Sequence, residues 1–373
     1  MRILRVLITN SRLENYAGSE VTVRDLACEL KRQGHEPIVF SPRLGTIASE
    51  IQRYGVQVQD DLRNFVRHPD VIHGHHHPQT LAALLHFSCV PAVFSCLAAD
   101  YHVEEPFYFP RIMRYVALDE RCRRRIANVS EIPADRTEVI LNAVDLERFN
   151  SCRQLPSRAR RALVFSNYAS CATHLPVVRK ACRRAGLELH GIGMGTGNAA
   201  ANPESILPKY DIVFAKASCA LQAMAAGNAV ILCDSPGAGP MVTSDKLEYL
   251  RRMNFGAGTL TNPLQAEYIE AEIARYDAED AARVTARIRN QAGLTETVQR
   301  WTALYSSVIA EFNALPQDFH QELRAIANYA ARWSYSKRVD WEKEQLAKLR
   351  SFPLIGGKLV QLARRMLWKR VEG

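Results

Sequence analysis

The chain has 373 residues, of which 47% are hydrophobic and 23% charged. That balance matches ordinary soluble globular proteins and excludes disordered, collagenous and fibrous classes, while the length exceeds what one hydrophobic core supports, so two domains are expected. The net charge of +9 is concentrated at one end: residues 321–373 hold 12 Lys and Arg against five Asp and Glu, a basic tail that can face nucleic acid or anionic lipid.

The chain opens with Ile3, Leu4, Val6, Leu7 and Ile8 as a short buried strand, followed by a polar turn to Gly18. Val21, Val23, Leu26, Ala27 and Leu30 then give a helical apolar stripe over 20–32, stopped by Gly34 before a strand over 37–40. The same rhythm recurs: a strand ends at Val71 and Ile72 in a His-rich loop, 79–86 reads as a helix, and 91–96, 115–118 and 139–141 read as strands. Strands alternating with helices through short polar connections imply a parallel sheet covered on both faces. This first domain runs to about residue 150, and the basic, Pro-containing stretch 151–161 reads as a linker.

A second series follows. Strands are expected at 163–165, 187–191, 212–214 and 229–233, with helices at 175–185 and around 221–226, and 245–311 is mainly helical. This places the second domain at 162–315 and a basic helical segment at 316–373. Within that segment Leu354, Ile355, Leu359, Leu362, Met366 and Leu367 alternate with Lys358, Arg364, Arg365, Lys369 and Arg370. The pattern over 354–370 fits a basic amphipathic helix lying on an anionic membrane surface or packed on the protein body. No nucleic-acid module or stacking platform accompanies it, so no nucleic-acid partner is expected.

Nine cysteines without a C-x-x-C pair, most of them in apolar runs, point to free thiols in a reducing compartment. The first ten residues lack the apolar core and cleavage site of a signal peptide, and no run approaches the roughly 20 apolar residues that span a bilayer. The expected location is cytoplasmic, with peripheral attachment to the inner face of the cell membrane open.

Taken in order, several segments resemble glycosyltransferase family 4 over most of residues 1–310. Ala17-Gly18-Ser19-Glu20, its following helix and Gly34-His35-Glu36-Pro37 are similar to that family's Gly-rich loop and exit; Asp70-Val71-Ile72-His73-Gly74-His75 looks like its His-bearing strand end. Tyr115-Val116-Ala117-Leu118, the segment Ile140-Leu141-Asn142-Ala143-Val144-Asp145-Leu146-Glu147-Arg148-Phe149 and Leu221-Gln222-Ala223-Met224-Ala225 complete the series. The resemblance implies an α/β GT-B fold: two Rossmann-like domains facing across a cleft, with the acceptor on the first, the nucleotide on the second, and a helical C-terminal extension that crosses back to the first domain, with Trp333, Tyr335 and Trp341 as packing anchors. It implies a glycosyltransferase that takes a nucleotide-sugar donor, generally retaining, with no cofactor and no metal. The expected acceptor is a saccharide or a lipid-linked saccharide in cell-envelope polysaccharide or lipopolysaccharide assembly.

The donor-site pattern is altered. The family's paired glutamates fall at Phe214 and Gln222, and its strand-end histidine falls at Leu97. Gln222 can still bond a ribose hydroxyl, and Lys216, ending an apolar strand, offers an ammonium for a diphosphate. Ser166 and Asn167 stand where the family carries Arg and Lys. Gly193 and Gly195 follow a strand, as either a phosphate-approaching turn or a tight structural one, and Gly18 precedes a helix N-terminus that favours an anion. His75 is expected to line the cleft as a catalytic residue with Lys216 and Glu104; His75, His76, His102 and Glu105 form the acceptor side. The missing carboxylates and histidine also fit a second reading, a catalytically inactive GT-B protein that binds a nucleotide, glycan or partner enzyme. A nucleotide-sugar epimerase on the same fold is a third.

Overall fold

The computed structural model describes residues 2–151, 153–199, 201–316 and 318–333. The expectations for Tyr335, Trp341 and 354–370 lie outside these residues. In chain order the first half contains β1 (Arg5–Thr9), α1 (Gly18–Arg32), β2 (Glu36–Phe40), α2 (Thr46–Arg53), β3 (Gln57–Gln59) and β4 (Val71–His75), then α3 (His77–His86), β5 (Ala92–Cys96), β6 (Ile112–Ala117), α4 (Glu120–Ala127) and β7 (Thr137–Val139). All seven strands are parallel, in the order β3-β2-β1-β4-β5-β6-β7. Every residue of β4 and β5 is buried, as expected of strands covered on both faces. On α1 the apolar stripe buries Val23, Leu26, Ala27 and Leu30, and Glu20 folds back to accept the Asn15 N–H at 2.8 Å.

The second half contains β8 (Arg161–Phe165), α5 (Leu175–Arg184), β9 (Glu188–Ile192), β10 (Ile212–Ala215), α6 (Ala217–Ala225), β11 (Ala229–Asp234) and β12 (Gly237–Met241), followed by α7 (Leu247–Arg252), α8 (Ala266–Ile273), α9 (Ala278–Gln291), α10 (Leu294–Ala314) and α11 (Phe319–Arg332). Its sheet runs β12-β11-β10-β8-β9, with only β12 antiparallel. Residues 153–160 carry no regular element.

Three elements escape the sequence pattern for physical reasons. α2 buries only Ile47, Ala48 and Ile51 over two turns, and β3 is three residues long with one buried side chain. β12 reads Gly-Ala-Gly-Pro-Met, a poor strand by propensity; its glycines let it pass within reach of the Thr259 and Leu260 carbonyls, which a Cβ would strike.

Helix α10 lies in the core of the first sheet although it follows the second in sequence. Val298, Trp301, Leu304, Tyr305, Val308, Ile309 and Phe312 join the same apolar cluster as Val6, Ile8, Val71 and Val93. The chain therefore crosses back at residue 294, inside the span that the sequence assigns to the second domain. Among the described residues, those within 2–106 and 111–316 form one compact unit, and 107–110 with 318–333 form another. Within the latter, the Tyr329 ring meets the edge of Phe107 at 5.3 Å and Gln321 Nε2 donates to the Tyr108 hydroxyl at 3.1 Å. Among the described residues no helix is long and apolar enough to cross a membrane.

Candidate active site

In open parallel sheets ligands gather at the carboxyl ends of the strands where the winding reverses. That point lies between β1 and β4 in the first sheet and between β8 and β10 in the second. The first is marked by Thr9 and His75, the second by Ser166 and Lys216, each at or just beyond a strand end. At the first lies a cavity of about 690 Å³, part of it open to solvent, lined by strand ends of the first sheet, α1, α6, α10 and the 140–143 connection.

Among the lining side chains, His73 and His75 come from β4, Ser218 and Gln222 from α6, Asn142 from the connection and Trp301 from α10. His73 is fixed at both nitrogens: Nδ1 lies 2.5 Å from the Tyr305 hydroxyl and Nε2 2.8 Å from Ser95 Oγ. Burial pushes its pKa down to about 3 and raises that of Tyr305 well above the ordinary phenol range, so both groups are neutral. The His75 ring stacks on His73 at 4.6 Å. His75 is 1% exposed, yet neither ring nitrogen has a hydrogen-bond partner. Its pKa falls well below the ordinary histidine value through burial, then through the neighbouring His73 and His76. A buried polar ring with two unsatisfied nitrogens facing a cavity marks where a ligand's polar atoms complete the bonding.

Opposite, α6 begins at Ala217 with no side-chain cap on its first turn, so its N-terminal N–H groups and dipole favour an anion. The backbone here is held in unusual geometry: Ala217, Asn254 and Phe255 all have positive φ, at 49°, 52° and 52°, conformations that cost non-glycine residues about 1–3 kcal/mol each. The Phe255 carbonyl takes the Ala217 N–H at 2.8 Å.

Lys216 stands one residue before α6, but not as the free ammonium expected for a diphosphate. Its Nζ lies 2.7 Å from Oδ2 of Asp234, a fully buried carboxylate at the end of β11. Asp234 also accepts Ser166 Oγ at 3.2 Å and the Ser235 N–H at 2.8 Å, and His174 Nδ1 lies 3.6 Å away. Burial, and then the Lys216 charge, lower the His174 pKa against the opposing pull of Asp234. The exposed Tyr168 ring covers Lys216 Nζ at 5.0 Å.

Gly193 and Gly195 form a structural turn. Their N–H groups donate to Asn198 O and Asn167 O at 2.9 and 3.0 Å, and side chains there would strike the backbone of residues 166–169. Their amides are thus spent within the turn and not presented to a phosphate. Asn167 closes the turn through Met194 N at 3.2 Å and donates Nδ2 to the Tyr16 carbonyl, in the loop before α1, at 2.7 Å. Gly18 begins α1 with open space around it.

The remaining expected residues gather elsewhere. His76, with φ at 62°, accepts the Ser11 N–H at Nδ1 and directs Nε2 toward Glu104, 3.7 Å away, with both side chains buried. Neither lines the cavity, so Glu104 faces His76 and not the place of a cleft base. His102 packs on Tyr101, and Glu105 pairs with Arg125 at 3.8 Å. Of the expected site residues, His75 and Gln222 share the cavity, while Ser166 and Lys216 share the ionic cluster. Asp234, His174, Ser218 and Trp301 are the site residues that the sequence did not point to. Asp234 carried a legible signal, a lone carboxylate closing a six-residue apolar strand. Among the described residues no group of three His, Cys, Asp or Glu is placed to hold a metal ion.

Residues 16–148 match Glycosyltransferase Family 4. No curated protein sequence matches the chain. Among solved structures, a glycosyltransferase from Rickettsia africae superposes with a TM-score of 0.58 at 13% identity, covering 83% of this chain and 99% of its own. Anabaena HepE, in complex with UDP and glucose, gives 0.57 at 14% identity over 82% and 100%. Sucrose-phosphate synthase from Thermosynechococcus elongatus gives 0.57 at 12% identity over 83% and 100%. The two sheets of mainly parallel strands and the helix that crosses back agree with the fold of these structures: the chain has an α/β GT-B fold, and its first sheet carries the match to Glycosyltransferase Family 4.

Proposed function

We propose that the chain transfers a sugar from a nucleotide-sugar donor to a hydroxyl of a saccharide or lipid-linked acceptor, with retention and without a metal, in cell-envelope polysaccharide or lipopolysaccharide assembly. The observation that carries the transfer step is the shared cavity: an unpartnered imidazole from the first domain faces the uncapped start of α6 from the second. A structural neighbour that holds UDP and glucose supports the donor class. In this reading the diphosphate sits at the α6 N-terminus, where fixed amide dipoles stabilise charge as the glycosidic bond breaks. Gln222 and Ser218 bond donor hydroxyls, and the acceptor enters from the His75 side.

The neutral state of His75 sets its part. A ring whose burial resists protonation is a poor base for removing a proton from an alcohol. It serves instead as a hydrogen-bond partner that orients a hydroxyl, and the departing phosphate takes the acceptor proton. The retaining outcome follows from donor and acceptor meeting on one face of the sugar.

The test is a thermal-shift panel of uridine, guanosine, adenosine and thymidine diphosphates and their sugar conjugates, repeated with His75→Asn and Gln222→Ala. A ligand at 100 times its Kd stabilises by about 2.7 kcal/mol, several degrees for a domain of this size. The panel should yield one stabilising base and slow release of free sugar from its conjugate, with release lost in His75→Asn. No shift with any nucleotide sinks the reading.

A further inference from the structure

The pairing of Lys216 with Asp234 leaves a gap in the proposed donor site, because a diphosphate needs positive charge that is not already neutralised. One guanidinium near the cavity answers this. Arg251, at the end of α7, donates Nη2 to the Asn142 carbonyl at 2.5 Å and Nη1 toward Asn254 Oδ1 at 3.5 Å. Both acceptors are neutral, and no carboxylate lies within 4.0 Å of it among the described residues, whereas Arg24, Arg32, Arg121 and Arg148 each have one.

Asn142 is the link between that charge and the cavity. Its N–H is taken by Asn254 Oδ1 at 3.3 Å, its carbonyl by Arg251, and its Nδ2 donates to Ser218 Oγ at 3.1 Å. Asn142 and Ser218 both line the cavity, with the unpartnered His75 across from them. Asn254 and Phe255, held at positive φ, brace the same spot, since Phe255 also binds the first N–H of α6. Strain of this kind persists where surrounding structure fixes a site.

We infer that Arg251 is the resident positive charge of the diphosphate site, acting from behind Asn142 and positioning that residue against the first turn of α6. This rests on the donor reading above. The guanidinium is kept unpaired by protein so that the incoming anion supplies its counter-charge, and Asn142 carries it to the cavity wall. Burial lowers its pKa to about 10, so it stays charged at neutral pH while losing solvation that an anion restores.

The test measures affinity for uridine, guanosine, adenosine and thymidine diphosphates against the matching monophosphates by calorimetry, in the full chain and two variants. Arg251→Gln removes the charge. Asn254→Asp retains it but sets a carboxylate beside the guanidinium, and Asp tolerates positive φ about as Asn does. Both variants are expected to weaken diphosphate binding about tenfold or more and to shrink the preference for diphosphate over monophosphate. Asn254→Asp should do so at unchanged or raised melting temperature, which a purely structural role for Arg251 does not predict. An unchanged diphosphate preference in Asn254→Asp overturns the inference even where Arg251→Gln fails to fold. If the unmodified chain binds a nucleotide and neither variant alters that preference, the inference alone fails. If it binds none, the donor reading fails and the inference with it.

Discussion

At the carboxyl edge of the seven-stranded sheet two neutral imidazoles, His73 and His75, line the cavity with Ile140, Val298 and Trp301. At the corresponding edge of the five-stranded sheet Lys216 is closed onto the buried Asp234 beside Ser166 and His174. The winding is the same, but at the first edge an imidazole on the cavity wall, His75, keeps both ring nitrogens open, while at the second the cation is already paired. A cation at a strand end is therefore not by itself a ligand site, and an uncharged group can be the one left waiting.

The largest effect is expected at the ion pair. Lys216→Met leaves Asp234, fully buried, with Ser166, the Ser235 N–H and the His174 ring 3.6 Å away as its remaining neighbours, and should cost about 3–5 kcal/mol in denaturant unfolding. Asp234→Asn should cost less, because Lys216 is a quarter exposed and can turn to solvent. The double variant should recover most of the loss, since it removes both charges together. Additive losses would mean that the two residues act separately, and the contrast between the sheet edges would fall.

The imidazole edge should show itself through pH. The folded-state pKa of His73, about 3, lies below its ordinary value of 6.5, so between those values the unfolded chain binds the extra proton. Stability is full above pH 6.5 and falls as the pH drops below it, by about 2 kcal/mol at pH 5 for this one residue. His73→Asn should flatten the unfolding midpoint between pH 7 and 5 relative to the parent. An equal slope in both proteins would show that His73 is protonated in the fold.

Much of the architecture was legible because buried parallel strands write themselves as apolar runs: β1, β5, β10 and β11 each lie where Val, Ile, Leu and Phe cluster, whereas β4 begins at Val71 and Ile72, where the sequence reading ended its strand, and runs on through His75. Asn142 and Gln222 sat within recognisable segments, and the His75 expected in the cleft does line the cavity. What stayed hidden depends on tertiary proximity. Nothing local to Lys216 reveals that Asp234, from the end of the next strand, returns beside it, and a strand of Gly-Ala-Gly-Pro-Met has no strand pattern to find. The glycines at 193 and 195 are the instructive ambiguity. A turn that must clear the carbonyls of Ser166 and Ala169 has the same composition as a turn that must clear a phosphate.

The smallest effect concerns Asn167, which joins the two sheet edges directly. Its Nδ2 bonds the Tyr16 carbonyl before α1, and its Oδ1 takes the Met194 N–H in the second domain. Asn167→Ala removes one part-buried and one exposed bond and should cost about 1 kcal/mol. Asn167→Asp separates them, since one carboxylate oxygen still accepts from Met194 while the other meets the Tyr16 carbonyl with no proton between two acceptors. The turn should therefore survive in the Asp variant and the bridge between domains should not. Small-angle scattering of the free protein reads this as a larger radius of gyration for Asp than for the parent. If Ala and Asp leave that radius unchanged, the edges are held together by α10 and the 140–143 connection alone, and the bridge is a consequence of closure and not a cause.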